Sequence, residues 1–155
     1  MSANKELWRI LDANANRSRE GLRVVEEMAR FFINDAVLSQ RLKGARHHLD
    51  SALRTLEKKG KGYLILYRDS AHDVGARHTL VAERQRKDLL EIVTANFKRT
   101  QESLRVLEEF SKILKNDVSD AFKALRFRVY SLEKDFYFCM KQITTKTKKK
   151  KKKKV

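Results

Sequence analysis

Proline is absent from the chain, and glycine occurs only at Gly21, Gly44, Gly60, Gly62 and Gly75. Proline removes a helix donor and clashes with the preceding turn, while glycine loosens a helix, so their scarcity leaves little to interrupt long helices. The single cysteine, Cys139, excludes an internal disulfide. It falls on an apolar helical stripe, which reads as a buried, inert thiol in a reducing compartment. No stretch approaches the roughly 18 consecutive apolar residues of a membrane helix. The start, MSANKELW, also lacks the basic-then-apolar pattern of a signal peptide, so a soluble cytoplasmic protein is expected. GKGYLILY lacks the spacing of a P-loop, His47-His48 lacks helical ligand spacing, and no Glu-x-x-His pair occurs. Tyrosines and phenylalanines read as members of apolar stripes, which gives a base-stacking surface little support.

What is present is a repeat. Residues 12–27, DANANRSREGLRVVEE, return at 94–109 as TANFKRTQESLRVLEE. Shifted by 82 positions, Ile10, Ala13, Asn14, Arg17, Glu20, Leu22, Arg23, Val24, Glu26, Glu27, Asn34 and Asp35 meet identical residues. Such self-similarity precedes any decision on fold. At 155 residues the chain suits one domain. Its net charge of +16 is concentrated: Lys146 and residues 148–154 supply eight lysines in a tail without acids, and the remaining 28 basic residues exceed the twenty acids by eight. That excess suits phosphorylated small molecules, nucleic acid or an anionic surface.

Apolar positions step by three and four along four segments, the mark of amphipathic helices. The first runs from about residue 4 to Asn34-Asp35. The second carries Leu38, Leu42, Ala45, Leu49, Ala52 and Leu56 and fades at Gly60. After an irregular stretch at 60–78, in which residues 63–67 read as an extended crossing segment, Thr79 is a plausible N-cap for the third helix. The fourth carries Phe122, Leu125, Val129, Leu132, Phe136, Cys139 and Ile143. These features predict an all-α four-helix bundle of two repeated antiparallel hairpins, about 4–59 and 79–143, joined by a longer central loop. A disordered lysine-rich tail, 144–155, follows the domain at 1–143.

Helices two and four read apolar throughout, whereas one and three turn polar or small in mid-length. Asn14, Ser18 and Gly21, with Asn96, Thr100 and Ser103, therefore predict a binding chamber, since buried polar groups need partners that a ligand can supply. A register-fixing polar layer or close helix packing at these small residues is the plainer alternative. Arg17 and Arg99, one turn further on, suit bidentate phosphate binding, or else structural ion pairs. Arg23 and Glu27, echoed by Arg105 and Glu109, read as a surface i, i+4 ladder. The loop RDSAHDVG offers Arg68, Asp73 and a Gly75 hinge, with Arg86 following.

The motifs ANxxRxxEGLRVVEExARF, RDxxxDVG and ANxxRxxESLRVLEE resemble the helical domain found fused ahead of thiamine-phosphate synthase in some bacteria and also found alone. That family is identified with a monofunctional hydroxymethylpyrimidine phosphate kinase. The resemblance covers residues 7–140, with His72 where the family form has glycine. It implies ATP-dependent conversion of the pyrimidine monophosphate to the pyrophosphate. Arg17, Arg99, Arg68 and Asp73 would be catalytic, with Arg86 as a further phosphate clamp. Asn14, Ser18, Gly21, Asn96, Thr100 and Ser103 would be substrate-binding, and Asp73, Glu20 and Glu102 would hold Mg²⁺. It also implies a functional link to thiamine-phosphate synthase and leaves a homodimer open. Two other readings stand beside it. One is a helical mutase acting on a dianion, and the other a nucleic-acid or anionic-surface binder working through its lysine tail.

Overall fold

The computed structural model describes residues 3–75, 85–114 and 117–152. Four helices dominate: α1, Ala3–Glu27; α2, Ala36–Gly60; α3, Leu89–Ser111; and α4, Val118–Lys152. α1 packs on α3 and α2, and α4 closes the ring against α3 and α2, giving the expected four-helix bundle. Among the described residues there is no strand. Residues 63–67 are not an extended crossing but a turn of 3₁₀ helix, Leu64–Tyr67, in which only Leu64 is buried. Leu64 and the partly buried Tyr67 anchor the segment to the core, and a lone strand would have had no neighbour to complete its hydrogen bonds.

The core is built from the predicted stripes. Leu11, Leu22, Val25, Leu42, Leu49, Leu56, Leu104, Leu107, Phe122, Val129, Leu132 and Phe136 are buried. Phe97 meets Phe136 edge to face at 5.7 Å, the arrangement that aromatic quadrupoles favour. The second helices superpose in sequence at a shift of 80 rather than 82. Leu38, Leu42, Ala45, Leu49, Ala52 and Leu56 correspond to Val118, Phe122, Leu125, Val129, Leu132 and Phe136, all buried. The link inside the second hairpin is thus two residues shorter.

Differences from the expected boundaries have local causes. α1 passes into a π-helical turn, Met28–Ile33, whose wider register leaves Phe31 and Phe32 exposed. Asn34 then takes a left-handed conformation and Asp35 caps α2 by accepting from the Leu38 amide at 2.9 Å. At the far end of α2 the left-handed residue is Lys61, not either neighbouring glycine. A Cβ on Gly60 would lie 2.6 Å from the Trp8 ring and one on Gly62 would lie 2.7 Å from it, so both glycines make room for a buried indole. Trp8 also stacks on Tyr67 at 5.7 Å.

Thr79 lies outside the described residues. α3 starts at Leu89, nine residues later than expected, because Asp88 accepts from the Glu91 amide at 2.8 Å while Glu91 reaches back to the Lys87 amide at 2.6 Å. The tail also differs from expectation, since α4 continues as helix through Lys152. Lysine is a good helix former, and extending an existing helix avoids the cost of nucleation, which offsets like-charge repulsion here.

Candidate functional site

The polar middles of α1 and α3 meet, but they divide into two layers. Ser18, Thr100 and Ser103 are buried against each other and the backbone. The Ser18 and Ser103 hydroxyls are 2.7 Å apart, Ser103 Oγ donates to the Arg99 carbonyl at 2.7 Å, and Thr100 Oγ1 donates to the Asn96 carbonyl at 2.8 Å. A Cβ on Gly21 would stand 2.3 Å from Thr100 Oγ1 and 2.8 Å from the Asn96 carbonyl. Gly21 is therefore required by the approach of α3, not by a ligand. Exchanging the repeats by 82 turns the Ser18–Ser103 contact into Thr100–Gly21, so both contacts express one pseudo-twofold axis between α1 and α3. Ser18, Gly21 and Thr100 make a satisfied packing layer and do not line a chamber.

Beside this layer lies an open cleft of about 670 Å³ that does gather predicted residues: Asn14, Arg17, Asn96, Arg99, Glu102, Ser103 and Arg86. Helical phase explains the sorting. Asn14 and Arg17, like Asn96 and Arg99, are three apart and share a face. Each asparagine donates its amide Nδ2 to a carbonyl one turn back, Asn14 to Ile10 at 2.9 Å and Asn96 to Ile92 at 2.8 Å. That leaves both Oδ1 atoms as acceptors for a ligand donor. Among the described residues neither Arg17 nor Arg99 forms an ion pair, so the structural bridges to Glu20 and Glu102 do not form. One guanidinium group from α1 and one from α3 thus line the cleft, each a five-donor fork of the shape that suits anionic oxygens.

The other predicted residues lie elsewhere. Arg68 makes two 2.8 Å hydrogen bonds to the buried carboxylate of Asp12, which raises the arginine pKa. It belongs to a small α1–α2 recess rather than to the cleft. Asp73 is exposed and accepts from the Gly75 amide at 2.9 Å, which is turn chemistry. In the same loop Asp69 contacts His72 at 2.8 Å, and that hydrogen bond lowers the Asp69 carboxyl pKa. Glu20 is exposed on α1 and does not line the cleft. Asp73, Glu20 and Glu102 thus do not assemble, and among the described residues no group of three or more His, Cys, Asp or Glu could hold a metal. Among the described residues, then, these three carboxylates do not form one Mg²⁺ site.

The outer ladder is as expected: exposed Arg23 pairs with Glu27 at 3.3 Å and Arg105 with Glu109 at 2.8 Å. Beneath it are two clamps that periodicity alone did not single out. Buried Glu26 accepts from Arg46 at 2.9 Å, and buried Glu108 accepts from Arg126 at 2.7 Å, each carboxylate raising its arginine's pKa. Their signal was readable, since an arginine occurs at 46 and again at 126, the same point of each second helix.

The fold and site define a helical bundle of two fused hairpins with an asparagine–arginine cleft between α1 and α3. The chain belongs to the ThiD2 family, whose pattern matches residues 9–135. It is similar to proteins named thiamine-phosphate synthase. The one from Rhodopirellula baltica is 37% identical over 146 residues, 94% of this chain and 38% of that protein. The one from Thermosynechococcus vestitus is 44% identical over 132 residues, 85% and 36% respectively. The one from Nostoc punctiforme is 40% identical over 127 residues, 82% and 34%. The chain therefore spans little more than a third of these relatives, corresponding to their N-terminal part, in keeping with a fused helical domain. No solved structure gives a significant match.

These matches overturn the kinase activity that the sequence resemblance implied. The relatives carry the name of a synthase, a transferase of thiamine biosynthesis, and neither kinase chemistry nor ATP finds support in them. The physical reason is that motif similarity identifies a fold, and one fold can carry different chemistries. Among the described residues no helix is long and apolar enough to cross a membrane.

Proposed function

We propose that this chain is the substrate-holding helical part of a transferase in thiamine biosynthesis, and that its α1–α3 cleft binds a phosphorylated pyrimidine. One observation carries the reading: Arg17 and Arg99, from equivalent places in two repeats, line one cleft without carboxylate partners among the described residues. Their forks suit phosphate oxygens, and Arg86 adds charge at the same cleft. The Oδ1 atoms of Asn14 and Asn96, together with the Glu102 carboxylate, are acceptors suited to amino or hydroxyl donors on a small ring. Family membership and the relatives' names supply the biosynthetic setting.

Calorimetric titration of the full chain with hydroxymethylpyrimidine phosphate, and separately with inorganic phosphate, tests this. Arg17→Ala and Arg99→Ala are each expected to weaken binding of the organic phosphate about 10- to 100-fold, the scale of a charge-assisted hydrogen bond. Because both arginines are exposed, the melting temperature should barely move. Unchanged affinity in both variants would remove the cleft from consideration.

A further inference from the structure

The outer face of α4 combines exposed aromatic rings with lysines. Lys123, Phe127, Tyr130, Lys134, Tyr137 and Lys141 are spaced four, three, four, three and four residues apart, which aligns them in one stripe about 27 Å long. The buried seam of Phe122, Leu125, Val129, Leu132 and Phe136 lies on the opposite side. Phe127 is 56% exposed, Tyr130 40%, Tyr137 44% and neighbouring Phe138 53%, although the sequence placed such rings on apolar stripes. Of these rings Tyr130 is tied to the clamp below, its hydroxyl accepting from Arg126 at 3.0 Å. At the matching points of α2, shifted by 80, stand His47, Asp50, Glu57 and Lys58, all polar.

Cations are interleaved with the rings. Lys141 Nζ lies 4.9 Å from the Tyr137 ring centre, and Arg126 lies 5.2 Å from Phe127 and 5.7 Å from Tyr130. The acids that follow Asp120 on α4 are engaged by other helices. Glu133 accepts from Gln101 at 2.6 Å and meets Lys98 at 3.6 Å, and Asp135 meets Arg41 at 2.8 Å. The stripe is thus aromatic and positive, and the same helix runs on into the lysine-rich segment.

We propose that the outer face of α4 binds single-stranded nucleic acid, with unpaired bases stacking on the exposed rings and phosphates following the lysines. Alternating rings and cations along one line are what a single strand requires, because every base offers a π-face and every linkage a charge. A second copy of the chain would bring lysine against lysine. A lipid surface would have to accommodate Lys134 between the two aromatic pairs.

Fluorescence anisotropy of the full chain with a labelled oligouridine of about 12 nucleotides tests the idea, with a duplex of equal phosphate count alongside. The single strand is expected to bind more tightly. Replacing Phe127, Tyr130, Tyr137 and Phe138 by Gln, which leaves every charge in place, should weaken it tenfold or more with the salt dependence unchanged. Circular dichroism checks the fold. The double variant Tyr137→Gln and Phe138→Gln, remote from the Arg126 contacts, should show a smaller loss in the same direction. Equal affinity of variants and parent, equal affinity for duplex, or ring-dependent binding to phosphatidylserine vesicles without oligouridine binding would each overturn the proposal.

Discussion

The two hairpins share a pattern and yet are not equivalent. Each first helix brings an asparagine and an arginine to the common cleft, and each second helix brings an arginine to a buried glutamate of its own hairpin. The hairpins differ where each must meet something its copy does not. Asp12 is buried under Arg68 of the central connection, while its counterpart Thr94 is exposed. Gly21 lies under the α3 backbone, while its counterpart Ser103 reaches across to Ser18. The outer face of α4 carries rings where α2 carries charge. Duplication thus supplies matching asparagine–arginine pairs to one cleft, and the departures from symmetry mark contacts that occur once.

The largest way to break that comparison is at the Gly21–Ser103 pair. Gly21→Leu would drive side-chain atoms into Thr100 and the Asn96 carbonyl and should cost about 3 kcal/mol or prevent folding. Ser103→Gly, the reciprocal change, should cost only about 1 kcal/mol. Urea denaturation compares them, and similar losses would show that the close approach is not what selects glycine.

Next in size are the clamps. Glu108→Ala leaves Arg126, whose side chain is 12% exposed, without its partner, and should cost about 2–3 kcal/mol. Glu26→Ala strands the 20% exposed Arg46 and should cost about 1–2 kcal/mol. Equal melting shifts would mean that the clamps are equivalent after all. Asp12→Ala, which has no counterpart in the second hairpin, should instead sensitise the loop at residues 68–75 to proteolysis with a smaller global effect.

The smallest expected effect concerns Cys139. Burial, then the nearby Asp35 and Asp135 carboxylates, push its thiol pKa up. A folded pKa above the unfolded one means that the folded chain holds its proton longer. Stability is therefore complete below the unfolded value and declines as pH rises past about 8.5. Cys139 is half-buried rather than fully buried as expected, so iodoacetamide should label the folded chain more slowly than the urea-unfolded chain at pH 8, and equal rates would refute this partial shielding.

Much of this protein was legible in its chain. The lack of proline and the three-and-four spacing predicted four helices, and the shift of 82 predicted paired hairpins. That Asn14, Arg17, Asn96 and Arg99 line one cleft was readable because both pairs keep one helical phase. Glu26 and Glu108 were overlooked because a carboxylate next to a surface ladder has the same local pattern whether exposed or clamped by another helix.

The sequence by itself determined helix, repeat and phase, because these depend on intervals along one chain. Only the tertiary structure decided that Ser18, Gly21 and Thr100 pack while Asn14 and Arg17 line the cleft, that Arg68 turns to Asp12, and that four rings of α4 face outward. Those outcomes depend on how closely a second helix approaches and on which polar atom it presents, distances that no periodicity within a single helix contains.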